Sequence, residues 1–155
     1  MIKRAIAAML VAVLMGAAVV TFALQATAEH NSLGAHLLGK NEVCSGADCN
    51  DPNGVGRATL TLKRKLRKVC FSIRWRRIAA PYAAHIHRGA RGVEGPVVVT
   101  LFGATDLTRT VKQLSGCAQA SRVVIDAIKD GPRYYYVNVH TPRYEGGAIR
   151  GQLHH

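Results

Sequence analysis

Val69-Cys70-Phe71-Ser72-Ile73-Arg74-Trp75 alternates between apolar side chains and small or charged ones. Successive side chains on a strand point to opposite faces. Val69, Phe71, Ile73 and Trp75 therefore form one apolar row, and Cys70, Ser72, Arg74 and Arg76 the opposite face. A strand of this kind is half-buried and needs an apolar layer to lie against. Just upstream, Ala58-Thr59-Leu60-Thr61-Leu62 alternates in the same way. The charged connection Lys63 to Lys68 between the two stretches reads as a hairpin tip.

Working outward, the strand signals continue. Gly34 to Val43 is a candidate first strand, and Cys44 to Gly56, rich in Gly, Asp, Asn and Pro, reads as a loop. Ala83 to His87 is a short strand, followed by a loop punctuated by Gly89, Gly92 and Gly95-Pro96. The β-branched run Val97 to Phe102 suits a strand covered on both faces. Val111 to Cys117 and Tyr134 to His140 are further strands. Glu145-Gly146-Gly147 is expected to turn, and Ala148 to Leu153 to close the domain as a last strand. Val123 to Lys129 reads as a short helix with Ser121 as N-cap and Gly131-Pro132 as its stop. Seven or eight short strands with glycine-rich connections predict an all-β, antiparallel sandwich or barrel with one short helix.

The first 28 residues have another purpose. Met1-Ile2-Lys3-Arg4 is positive, Ala5 to Leu24 carries no charge, and Ala26-Thr27-Ala28 offers small residues to a signal peptidase. That layout predicts a secretory signal at 1–28 and a mature β domain at 29–155. Left uncleaved, the apolar stretch approaches the ~20 residues that span a bilayer and would tether the domain. Both readings place the domain outside the cytoplasm, periplasmic or secreted. The four cysteines all follow position 28, and an even number in an exported chain reads as disulfides, for which three pairings exist. Cys44 and Cys49 are near enough to close a small ring, and Cys70 and Cys117 would then join distant segments.

Charge is lopsided. The whole chain carries 21 basic and 9 acidic residues. Arg57, Lys63, Arg64, Lys65, Arg67, Lys68, Arg74, Arg76 and Arg77 fall in one stretch without an acid. Such a field attracts polyanions or anionic lipid surfaces, although a solvated strand face and hairpin tip has the same composition. Lys63, Arg64, Lys65, Arg67, Lys68, Arg74, Arg76 and Arg77 are the polyanion-binding candidates. An anionic envelope polymer, a membrane surface or another exported protein is the expected partner. Nucleic acid is not, because export separates the chain from it.

The candidate chemistry lies in the histidines. His85 and His87, one residue apart, share a strand face with Ile86 turned away. His140 lies on another predicted strand with Asn138 on its face. If the two strands are neighbours, three imidazoles converge on a site suited to copper or zinc with one position open. The competing reading is a buried polar network of His85, His87, Asn138 and Thr141 that fixes the loops. The serines sit in no nucleophile elbow, acids are scarce, and no glycine-rich phosphate loop precedes a helix. No catalytic activity is expected.

Two ordered motifs resemble the CHRD (chordin-type) domain family. The first is Ala84-His85-Ile86-His87-Arg88-Gly89 with Gly95-Pro96-Val97-Val98-Val99-Thr100-Leu101. The second is Tyr135-Tyr136-Val137-Asn138-Val139-His140-Thr141 with Gly146-Gly147-Ala148-Ile149-Arg150-Gly151-Gln152-Leu153. Asn41-Glu42-Val43 fits the family's opening, and the match covers about residues 33 to 153. The resemblance implies an all-β Greek-key domain and little about activity; the function expected of the chain is an exported, non-catalytic binding or structural module with a basic surface. Cys44, where family members often have Pro, is a departure. His-x-His on one strand, a later His and a Gly-Gly pair by the final strand are loosely similar to copper,zinc superoxide dismutases. The second metal set of those enzymes is missing. The alternative function is therefore a periplasmic copper- or zinc-binding protein, redox-active if the ion is copper.

Overall fold

The computed structural model describes residues 31–43, 49–103 and 110–155. Its strands are β1 (Ser32–Leu38), β2 (Val55–Lys63), β3 (Lys68–Arg76), β4 (Ala83–Arg88), β5 (Val97–Phe102), β6 (Gln113–Gln119), β7 (Tyr135–Thr141) and β8 (Tyr144–Gln152), with one helix, α1 (Arg122–Asp130). All eight strands pair antiparallel in the order β5-β4-β7-β8-β1-β2-β3-β6, and the two ends of that order approach each other to give a nearly closed barrel. β3 and β4 are consecutive yet not neighbours, so the chain crosses an end of the barrel between them. The all-β expectation with one short helix holds. The proposed signal segment and the Cys44 half of the Cys44–Cys49 ring lie outside the described residues. Among the described residues no helix is long and apolar enough to cross a membrane.

Alternation builds the interior. Val69, Phe71, Ile73 and Trp75 of β3 all point inward, as do Ala58, Leu60 and Leu62 of β2. Leu33, Leu37, Ile86, Val137, Val139 and Ile149 complete the centre with at most 1 % exposure. Each such side chain contributes about 1.5–3 kcal/mol when fully buried. Cys70 faces outward and is bonded to Cys117, its direct partner on β6. The helix begins where the Ser121 Oγ accepts the Val124 N–H at 3.2 Å, and Ile125 and Ile128, one turn apart, are its buried contacts.

Three local expectations change. The first strand ends at Leu38 and gives way to a short 3-10 turn at Gly39–Asn41. The run Val97 to Phe102 is not covered on both faces, because Val97 and Thr100 are exposed while Val99, Leu101 and Phe102 are buried. The strand buried throughout is β7. Gly146 and Gly147 do not form a turn. They lie inside β8, and the chain reverses between Thr141 and Tyr144. Gly147 has φ +144°, and a Cβ there would press on Asn138 and Glu42.

Candidate metal centre

β4 pairs with β7 in a register that sets Ala83 opposite His140, His85 opposite Asn138 and His87 opposite Tyr136. Ile86 turns into the core, so His85 and His87 project from the outer side of the barrel. Tyr136, Asn138 and His140 project from β7 on that same side. One ligand nitrogen from each of His85, His87 and His140 lies within 4.8 Å of the other two. His140 is buried, and His85 and His87 are half-buried.

Hydrogen bonds fix which nitrogens carry protons. The Gly95 carbonyl lies 2.8 Å from His87 Nδ1 and the Glu145 carbonyl 2.8 Å from His140 Nδ1. A carbonyl can only accept, so both rings donate from Nδ1 and, when neutral, keep their lone pairs on Nε2. His85 Nδ1 is 2.9 Å from His140 Nε2 and donates to it. His87 Nε2 is buried with no protein partner. Burial pushes the His85 pKa down to about 4, with the nearby charges of His140 and His87 acting in the same direction. Burial also lowers His87 and His140, against the opposing pull of the Gly95 and Glu145 carbonyls. The three rings are neutral at neutral pH, the form in which imidazole binds a metal.

A second layer holds this cluster. Tyr136 stacks on His87 at 4.8 Å between ring centroids and 11° between planes. The Gly95 N–H donates to the Tyr136 hydroxyl at 3.2 Å. Gly95 can come this close only without a side chain, since a Cβ would collide with the Arg88 carbonyl. The Arg150 guanidinium lies 3.3 Å from the centroid of the Tyr136 ring and donates to the carbonyls of Ala90 and Val93. Gln152 donates to Gly89 O at 2.7 Å. Loop 89–96 is thus tied down to His87 of β4, Tyr136 of β7, and Arg150 and Gln152 of β8. Beneath it, burial raises the Glu42 carboxyl from 4.5 to about 8, opposed by Arg150 and Asn138. Glu42 Oε1 and Asn138 Oδ1 are both buried without a partner. Carboxyl protonation gives Glu42 a donor that a carboxylate lacks.

The expected polar network takes a different shape. Asn138 donates to Gly146 O at 3.1 Å, and the Thr141 hydroxyl accepts the Tyr144 N–H at 3.3 Å. Neither has a hydrogen bond to a histidine, so the His cluster stands apart from them. Sequence reasoning missed Glu42, Gly95, Glu145, Arg150 and Gln152 as supports. Most of them lie in the quoted motifs, but a motif does not say which carbonyl a ring will find.

The basic candidates lie elsewhere on the barrel. Arg64, Lys65 and Arg67 are exposed at the β2–β3 tip, flanked by the opposed pair Lys63 and Lys68. Arg64 is engaged by Asp126 at 2.6 Å. Arg74 and Arg76 project from the outer side of β3, and Arg77 follows with φ 57°. The CHRD domain family model matches residues 33–153 of the chain. No curated protein and no solved structure matches it.

Proposed function

The chain belongs to the CHRD domain family, and on that premise we propose that it is an exported, non-catalytic binding module that holds one copper or zinc ion. The observation that carries this reading is the convergence of His85, His87 and His140 with two ring tautomers set by backbone carbonyls. Metal-binding histidines commonly donate the other ring N–H to a carbonyl, which orients the ring and raises its basicity. Neutral imidazoles suit zinc and copper, and three of them leave a position open for water or another ligand. Three nitrogens at about 2.1 Å from one tetrahedral ion stand about 3.4 Å apart. The present spread of up to 4.8 Å needs a closure of about 1.4 Å at the widest pair. The ion would replace the proton shared between His85 and His140, and it would give the orphaned His87 Nε2 a partner.

The test is metal content of the mature domain purified without chelators or an affinity tag, by mass spectrometry of the intact protein and elemental analysis. About one ion per chain is expected, and none in a variant with His85, His87 and His140 all changed to Ala. His154 and His155 can capture metal on their own, so both are changed to Gln in the starting protein. Truncation is unsuitable, because the His154 backbone bonds Gly34 of β1. A protein that stays empty when copper and zinc are offered at neutral pH sinks the proposal.

A second binding reading has its own observation. β2, β3 and β6 contain no Asp or Glu, and their outward cations are mostly exposed. That supports attachment to an anionic envelope polymer, with a membrane surface or another exported protein as the other partners of this reading. The signal-like 1–28 segment supports the exported setting for both.

A further inference from the structure

The register of the barrel arranges the basic residues in a way their sequence spacing does not reveal. His36 of β1, Arg57 of β2, Arg74 of β3 and Gln113 of β6 are successive direct partners, so they form one row across four strands. All four are exposed. Arg76, opposite Val55, stands one step along on the same side. The Lys112 carbonyl accepts the Trp75 N–H and brings Lys112 to the same edge. Arg57, Arg74, Arg76, Lys112 and Gln113 line a groove of about 340 Å³. None of its four cations has a carboxylate partner among the described residues.

This arrangement works against folding. Like charges directly opposite on neighbouring strands repel, and Arg57 faces Arg74. An anion in the groove reverses the sign of that interaction. Away from the groove the same side continues with hydroxyls. Thr59, Ser72 and Ser115 form the next row, with Ser115 and Gln113 both donating to Ser72 Oγ. Lys63 and Lys68 stand at the far end. From Arg57 to Lys63 the strip runs about 20 Å at ~3.3 Å per residue.

We infer that this strip, anchored at the Arg57–Arg74–Arg76–Lys112 groove, binds a linear acidic polysaccharide. The inference rests on the anionic-surface reading and names its site and ligand. Guanidinium forks match carboxylate and sulfate groups in two-point contact, and the Ser and Thr row faces the sugar hydroxyls between charges. Single-stranded nucleic acid would call for exposed aromatic rings to stack on, but Trp75 is turned into the core with 1 % exposure. A membrane would call for an apolar surface to insert, and the strip offers only the Cys70–Cys117 disulfide beside Thr61 among otherwise polar and charged rows.

The experiment is binding at low and high salt to dextran sulfate and to polygalacturonate. Neutral dextran and vesicles of phosphatidylglycerol with phosphatidylcholine serve as comparisons. Two variants are compared with the native domain after circular dichroism has matched their folds: R57Q/R74Q/R76Q/K112Q in the groove and K65Q/R67Q at the tip. The inference expects salt-sensitive binding to both acidic polymers and none to dextran. Affinity should fall about tenfold or more in the groove variant and only a few-fold in the tip variant. Loss in the tip variant alone overturns the groove and leaves the anionic-surface reading intact. Binding to vesicles without binding to the polymers overturns the polysaccharide, and binding to neither overturns both readings.

Discussion

The outer face of β4 and β7 and the outer face of β2, β3 and β6 belong to one barrel, yet they have opposite chemistry. The first is covered by loop 89–96, which Arg150, Gln152, Tyr136 and His87 tie down through backbone groups. Burial disfavours the charged forms of its histidines and of Glu42, and backbone carbonyls orient two of the imidazoles. The second has no cover. Its cations are solvated, and its strands β3 and β6 are joined by the Cys70–Cys117 bond. Period-two alternation places side chains outward on both faces. What lies over that side decides whether they form a dry polar cluster or a charged surface, because desolvation acts only where water is excluded.

The largest effect expected from breaking the comparison is on metal retention. His140→Ala removes a nitrogen and leaves the Glu145 carbonyl without its donor, so affinity should fall about a hundredfold or more, read by competition with a chelator. Tyr136→Phe keeps the stacked ring and loses only the hydroxyl contacts to Gly95, and should fall within the roughly 10–100-fold range of outer-layer changes. Equal retention in wild type and both variants would falsify metal binding by the covered face.

Stability separates the faces next. The C70S/C117S variant opens a loop with a sequence separation of 47 residues and should lose ~3–4 kcal/mol by chemical denaturation. Its metal content should match that of the native domain. Arg150→Ala removes the hydrogen bonds to Ala90 and Val93 and the stack on Tyr136, at about 2–4 kcal/mol. Unlike the disulfide change it should also weaken metal binding, since the loop that carries Gly95 is released. Two variants with similar stability loss and opposite effects on metal would sharpen the contrast.

The pH dependence of the metal-free domain should show two limbs from the covered face. The depressed His85 pKa means that the unfolded chain binds more protons between about 4 and 6.5, and the lowered His87 and His140 act in the same direction. Stability is therefore fully present above 6.5 and is lost as pH falls towards about 4. Glu42 has the opposite sign: its raised pKa makes the folded chain bind more protons between 4.5 and about 8, so stability declines as pH rises through that window. Glu42→Gln should flatten the decline on the alkaline side and leave the acid limb in place. Thermal midpoints across pH 4 to 9 for both proteins check this, and an unchanged alkaline limb in Glu42→Gln counts against a buried neutral carboxyl.

The smallest effect belongs to the open face. Arg64 and Asp126 form a short contact at 2.6 Å between exposed side chains. Water and salt screen such a pair, so Arg64→Ala should leave the melting midpoint unchanged within error. A clear drop would show that the hairpin tip and α1 are coupled more tightly than their exposure implies.

Particular residues show why some features were legible beforehand. Val69 to Trp75 could be oriented because alternation is a local property of the chain. Ser121 could be named as a cap because its partner is only three residues away. His85 and His87 could be placed on one side for the same local reason. Val97 to Phe102 misled, because a β-branched run signals strand but not what covers it. Gly146-Gly147 misled as well, because glycine marks both turns and places where a strand has no room for a side chain. Gly147 is the second kind.

By itself, then, the sequence determined the inward rows, the hairpins, the helix and its cap, and the excess of positive charge. These follow from dihedral preference, alternation and composition, which act over a few residues. Tertiary structure alone decided that His140 meets His85 across 55 residues, that backbone carbonyls set two of the imidazole tautomers, and that Arg57 faces Arg74. These depend on strand order, register and the path of one covering loop. They are settled by where the whole apolar core can close, not by any short stretch of chain.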